Sequence, residues 1–178
     1  MANYTQDYRG GDIAFNIKKL SCLDLIGGGQ IVVQGDFAYI GHMKPTDGTT
    51  ILNVSDPRNP VVVWQGKLAD GQSHTHKVRV AGDIMITNVE QNNRHVLRAG
   101  SRIYSTRKKL EADGKDASDR EVARILGVNV DMFPEMVAAQ AENFYTDGGF
   151  KVWHISNKSN PKELAHVRTH GFGTHRFD

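Results

Sequence analysis

The segment Asp47-Gly48-Thr49-Thr50-Ile51-Leu52-Asn53-Val54-Ser55-Asp56-Pro57-Arg58-Asn59-Pro60 has a counterpart far downstream, Gly148-Gly149-Phe150-Lys151-Val152-Trp153-His154-Ile155-Ser156-Asn157-Lys158-Ser159-Asn160-Pro161. Each is an apolar, β-rich run that ends on a serine. Each continues through an Asx-led turn and an Asn-Pro step into another β-rich run. Asp56 and Asn157 are suited to an Asx-turn, and Pro60 and Pro161 stand at a strand start, where a missing N–H is tolerated. A second repeat lies upstream of each copy. Ile31-Val32-Val33-Gln34-Gly35-Asp36-Phe37-Ala38-Tyr39-Ile40 matches Val78-Arg79-Val80-Ala81-Gly82-Asp83-Ile84-Met85-Ile86-Thr87, two β-rich runs about a Gly-Asp hairpin step. A third pairs Thr75-His76-Lys77-Val78 with Thr174-His175-Arg176-Phe177.

In chain order these repeats predict a four-stranded antiparallel unit with strands near 29–34, 36–42, 49–54 and 61–68. A second unit is predicted near 75–80, 83–89, 149–155 and 162–168. Residues 16–25 are expected to be the last strand of a preceding unit, and 174–178 the first strand of a following one. Four-stranded units repeating every 40–45 residues or so are the signature of a β-propeller. The fold expected is all-β: two blades plus flanking strands of an incomplete propeller, with residues 1–178 part of one domain and 91–143 a helical insertion in the second blade. Two blades cannot close a ring. The remaining blades are expected from a second chain or from the rest of a longer precursor, making the working protein an oligomer or a larger molecule.

The phrases Asp36-Phe37-Ala38-Tyr39-Ile40-Gly41-His42 and Thr50-Ile51-Leu52-Asn53-Val54-Ser55-Asp56-Pro57 resemble the LVIVD-repeat β-propeller proteins. The resemblance spans about residues 16–90 and 144–178. A looser likeness connects such propellers to selenium-binding proteins and methanethiol oxidases. There, histidines in the channel serve a metal, and the likeness implies similar chemistry here.

Within the insertion, residues 103–143 read as helical. Ser105 precedes a first helix that Gly114 stops. Ser118-Asp119-Arg120-Glu121 is a capping box for a second, which Gly127 ends, and a third starts near Pro134. Residues 120–129 resemble the first helix and turn of a helix-turn-helix. The segment in the recognition-helix place, Val130 to Ala139, has no Lys or Arg and carries two acids, which argues against DNA. A lid or interface element is expected instead.

Eight histidines are present, and their placement carries the functional reading. His74 and His76 open the innermost strand of one blade, and His175 occupies the repeat-equivalent point of the next. In a propeller such strands line the channel, so these imidazoles converge and can bind a transition metal or move protons. The metal ligands expected are His74, His76 and His175. Glu90, just past the end of a neighbouring strand, and His76 are the candidate catalytic groups. His42 is expected near the same rim. The alternative for Thr-His-(Lys/Arg) is structural, with histidine bonding a neighbouring blade's carbonyl. His154 and His166 alternate with apolar residues and are expected to pack or face solvent.

The rest of the sequence narrows the classes. A net charge of +2 gives no electrostatic footprint for nucleic acid or anionic lipid. No apolar stretch reaches membrane-spanning length, and Met1 to Gly11 lacks a signal-peptide core, so a cytoplasmic protein is expected. Cys22 is expected to be a buried structural thiol. Gly27-Gly28-Gly29 leads into a strand and lacks the Gly-Lys-Ser/Thr ending of a phosphate loop. Three functions fit: an enzyme with a histidine-lined channel and a metal (hydrolase, lyase or oxidoreductase, with a small-molecule substrate), a propeller scaffold for protein partners, or a non-catalytic metal or ligand carrier.

Overall fold

A computed structural model describes residues 16–69, 71–141 and 145–177. The chain is mostly β, with two antiparallel sheets and three α-helices. The first sheet runs in chain order through β1 (Gly28–Gln34), β2 (Phe37–His42), β3 (Asp47–Asn53) and β4 (Val61–Lys67). The second contains β5 (Ser73–His74) and β6 (Val78–Ala81), both paired with β7 (Ile84–Gln91), then β8 (Gly149–His154) and β9 (Lys162–Arg168).

The repeats in sequence become repeats in hydrogen bonding. Gly35 and Gly82 take the left-handed conformation that the two hairpin turns require, at φ 57° and 58°. Val54 N–H donates to Asp36 O, and Ile155 N–H donates to Asp83 O, both at 2.8 Å. The two Asx-turns form as expected: Asp56 accepts from the Arg58 amide and Asn157 from the Ser159 amide, each at 3.0 Å. Even the register irregularity recurs, between Ile51 and Leu52 against β4 and between Val152 and Trp153 against β9.

The sheets share a core. Strand alternation sends Tyr39 and Ile51 from the first sheet and Val78 and Met85 from the second into one cluster with Ile155. Trp64 on β4 and Trp153 on β8 meet edge-to-face with ring centroids 5.5 Å apart. The opposite face of the first sheet places Ala38, Ile40 and Leu52 together under Leu25.

Three expectations about strands need correction. Residues 17–25 form no strand, because the described residues hold no upstream neighbour for them to pair with. They lie as an extended strip, with Ser21 Oγ donating to Pro57 O at 2.7 Å. The strand expected over 75–80 is split into β5 and β6. At the break the backbone leaves its own sheet for the first: Thr75 and His42 exchange amide hydrogen bonds of 3.1 and 3.0 Å, and Gln30 N–H donates to His76 O at 3.1 Å. Residues 174–177 also form no strand, but the chain reaches them by a similar junction. Gly173 bridges Glu90, and Gln91 N–H donates to Phe172 O at 2.8 Å. Cys22 is exposed rather than buried, since that strip lies on the surface.

Gly41 is what permits the first junction. A Cβ there would overlap the His76 carbonyl carbon and lie 2.6 Å from His76 O. These are backbone atoms that cannot swing aside. Gly41→Ala is therefore expected to lower stability by about 2 kcal/mol or more, as overpacking against rigid atoms does. Urea unfolding checks it, and an unchanged midpoint would refute the close-approach argument.

The insertion forms α1 (Arg94–Ala112), α2 (Asp119–Leu126), a 3-10 turn (Val130–Met132) and α3 (Phe133–Ala141). Ser118 accepts from the Glu121 amide, and Gly127 closes α2 at φ 67°, as the capping signals predicted. The first helix starts well before Ser105, at Arg94. Leu97, Ala99 and Ile103 are buried in that earlier portion. Gly100 does not interrupt the helix; it lets α3 approach, since a Cβ there would lie 2.5 Å from Met136 O. The helices have their own core of Ala99, Ile103, Leu110, Val122, Ala123, Phe133 and Met136. Among the described residues, no helix is long and apolar enough to cross a membrane.

Candidate metal centre

β5 and β7 place His74 directly across from Glu90, and the break after β5 turns His76 toward the same carboxylate. The second junction adds His175 from the far side. His74 Nε2, His76 Nδ1 and His175 Nδ1 lie 3.3, 3.6 and 2.8 Å from Glu90 Oε2. The His76 ring stands 4.8 Å from that of His74 and 5.0 Å from that of His175, centroid to centroid. Glu90, at 2% exposure, is almost wholly buried; its other oxygen, Oε1, accepts from Arg94, the first residue of α1.

The protonation pattern follows from the partners. Asn88 is fixed in orientation, its Oδ1 accepting from the Lys77 amide at 2.8 Å and its Nδ2 donating to Thr174 O at 3.0 Å. That Nδ2 also donates to His76 Nδ1 at 3.2 Å, so Nδ1 carries a lone pair and the proton sits on Nε2. Burial, then the neighbouring His74, pushes the His76 pKa down to about 4, which keeps the ring neutral. For Glu90, burial raises the pKa, but hydrogen bonds from His74, His175 and Arg94 outweigh it and hold the carboxyl down at about 2. The His76 Nδ1 lone pair thus faces an anionic oxygen with no proton between them. His74 Nδ1 and His76 Nε2 are buried without hydrogen-bond partners.

This arrangement fits a metal ion. His74, His76 and Glu90 can each offer one ligand atom within 4.8 Å of the others. Ligands at about 2.0–2.1 Å on a tetrahedral ion stand roughly 3.3–3.4 Å apart, close to the separations of His74 and His76 from Glu90. His175 joins through Glu90 and is 44% exposed at its side chain, on the open side of the group.

Other histidines lie outside the cluster. His42 is fully buried with both nitrogens engaged: Nδ1 faces Ile26 O at 2.9 Å and Nε2 faces Thr50 Oγ1 at 2.8 Å. Its role in the fold is the structural one, and it has no free nitrogen for the rim. His154 is half-buried on β8, and His166 sits on β9 beside Asp147 at 3.7 Å.

The cluster forms one wall of a cavity of about 770 Å3, within the size range of small-molecule sites. Met43, Lys77, Asn92, Asn93, Arg94, Arg98 and Arg176 complete it. The insertion is therefore a cavity wall, supplying the start of α1. Sequence reading missed Asn88, Arg94 and Arg98 as parts of the site. Arg94 follows Glu90 by four residues, but Glu90 is on β7 and Arg94 opens α1, so the pair comes from the turn between them and not from helical spacing.

Residues 28–65 match the sequence model of the LVIVD repeat, which covers β1 to β3 and most of β4. The resemblance read from the motifs is thereby supported in the first sheet. No curated protein and no solved structure matches the chain.

Proposed function

We propose that this chain supplies two blades of a β-propeller and that His74, His76 and Glu90, the last bonded to His175, hold a transition metal ion at its inner rim. The blade reading is supported by the LVIVD match and by two sheets that repeat one another's turns and register slips. In it, 91–143 is an insertion within the second blade of one domain, and the first strands of each blade stand closest to the axis. The observation that carries the metal reading is the meeting of an unprotonated imidazole nitrogen and an ionised carboxylate in a buried pocket, beside two buried nitrogens without partners. Borderline-soft, imidazole-rich donor sets of this kind suit zinc, copper, iron or nickel.

A bound ion would supply Lewis acidity and an activated water beside the open cavity. The chain's own residues supply the rest. Glu90, held near 2, is too weak a base for proton transfer at neutral pH, so its role is to ligate and orient. Arg94 fixes its second oxygen. Asn88 Nδ2 holds the His76 Nδ1 lone pair in the metal-free chain and would release it to an incoming ion. His175, the most accessible imidazole of the group, is placed to exchange protons with a molecule in the cavity. The reading is of a metal-dependent enzyme acting on a small molecule.

Elemental analysis of the purified protein, followed by chelation and reloading with zinc or cobalt, tests it. About one ion per chain is expected, lost in His74→Ala and His76→Ala and retained in His170→Ala, whose ring lies outside the cluster. Equal metal content in all four proteins, or no selective uptake by any, would overturn the proposal.

A further inference from the structure

The charge on the cavity wall is one-sided. Lys77, Arg94, Arg98 and Arg176 line it, against the single carboxylate of Glu90. Arg94 is committed to that carboxylate. Among the described residues, no carboxylate pairs with Lys77, Arg98 or Arg176. The chain as a whole is nearly balanced, at +2, so this concentration is local. A further observation points the same way. The start of α1 opens on the cavity with no acidic residue in its first turn and no side-chain cap on Asn93, leaving the positive end of a 19-residue helix uncompensated.

We propose that the cavity binds a small anionic substrate whose carboxylate or phosphate group sits between Arg98 and Arg176, with Lys77 beside it and the rest of the molecule over the histidine cluster. Arg98 follows Arg94 by one helical turn and so shares its face of α1, while Lys77 and Arg176 come from repeat-equivalent points after His76 and His175. Guanidinium groups match the planar or tetrahedral oxygens of such anions through paired N–H bonds, whereas a neutral substrate would leave three cations uncompensated in a shared cleft. The inference deepens the metal-centre reading by naming its substrate class, and it rests on that reading only for the reaction, not for the binding.

Titration calorimetry on the chelator-treated protein, in the assembly it forms, separates the two. The probes are inorganic phosphate and malonate, and whichever binds more tightly identifies the headgroup class. Arg98→Gln and Arg176→Gln are each expected to weaken binding about tenfold, as loss of a charge-assisted contact does. Arg98→Lys should recover part of that loss. Both side chains are exposed, so the folds should survive. His76→Ala should lose metal yet still bind the anion. No binding of either probe at millimolar concentration, or undiminished binding in the Arg98→Gln/Arg176→Gln double variant, would overturn the inference. Retained anion binding without metal uptake in the wild type would overturn the metal reading alone.

Discussion

Glu90→Gln is expected to lower metal affinity by about a hundredfold or more and to cost roughly 3 kcal/mol of stability in the metal-free protein. The variant keeps the shape of the side chain and removes only its charge. That charge is what Arg94, His74 and His175 are arranged around, in a pocket that water barely reaches. The pH dependence gives the prediction its sign. Glu90 is held at about 2 in the folded chain against 4.5 ordinarily, so its contribution is complete above 4.5 and lost as pH falls toward 2. His76, held at about 4 against 6.5, also favours the folded state at higher pH. The unfolded chain takes up that proton first, so roughly 3 kcal/mol is lost as pH falls from about 6.5 to about 4. The upper loss should appear in both proteins. The gap between them should then narrow as pH drops below 4.5, where wild-type Glu90 itself becomes neutral. Urea midpoints of the chelated proteins across this range decide it. A gap that stays constant down to about pH 2 would show that the Glu90 charge is not what stabilises the pocket.

What could be read from the sequence was local, and what could not was where distant segments meet. The Gly35-Asp36 and Gly82-Asp83 turns, the Asx-turns at Asp56 and Asn157 and the Ser118 cap are each set by a few adjacent residues, and each formed. His76 and His175 were found because the repeat placed them in equivalent settings, and His74 because it stands beside His76 at the start of the same strand; all three do share one cavity. His42 lies beside Thr75, between His74 and His76 in sequence, but nothing local announces that Ile26 O and Thr50 Oγ1 will engage both its ring nitrogens. The break in the strand after His74 depends on a junction with β2 that only Gly41 hints at. The start of α1 lies before the Ser105 signal, and within that earlier stretch the missing side chain of Gly100 is the space α3 occupies. The cationic wall escaped notice because its members come from three separated stretches: Lys77, Arg94 with Arg98, and Arg176.

The second large effect is expected where the two sheets face outward. Ile31 and Val33 project from β1 on the side of Ala38, Ile40 and Leu52, away from the core between the sheets, and are 59% and 62% exposed. The far face of the second sheet is apolar as well, with Ile84, Ile86, Phe150, Val152 and Val167 in register across β7, β8 and β9. The core between the sheets shows what such faces do when partnered: Tyr39, Ile51, Val78 and Met85 are there, one sheet's residues buried by the other's. If further blades of the same ring cover the outer faces, Ile31 and Val33 are core residues of the complete protein. The double variant Ile31→Lys/Val33→Lys, made in the intact protein, should then cost about 3 kcal/mol or more, since burying each such side chain contributes about 1.5–3 kcal/mol. The variant should also sediment as a smaller species wherever the blades come from separate chains. On a face that truly meets solvent, two lysines on an edge strand would change stability by no more than about 0.5 kcal/mol each and would discourage aggregation. Thermal and urea unfolding distinguish these outcomes, and a variant as stable and as large as the wild type would end the blade reading of the outer faces.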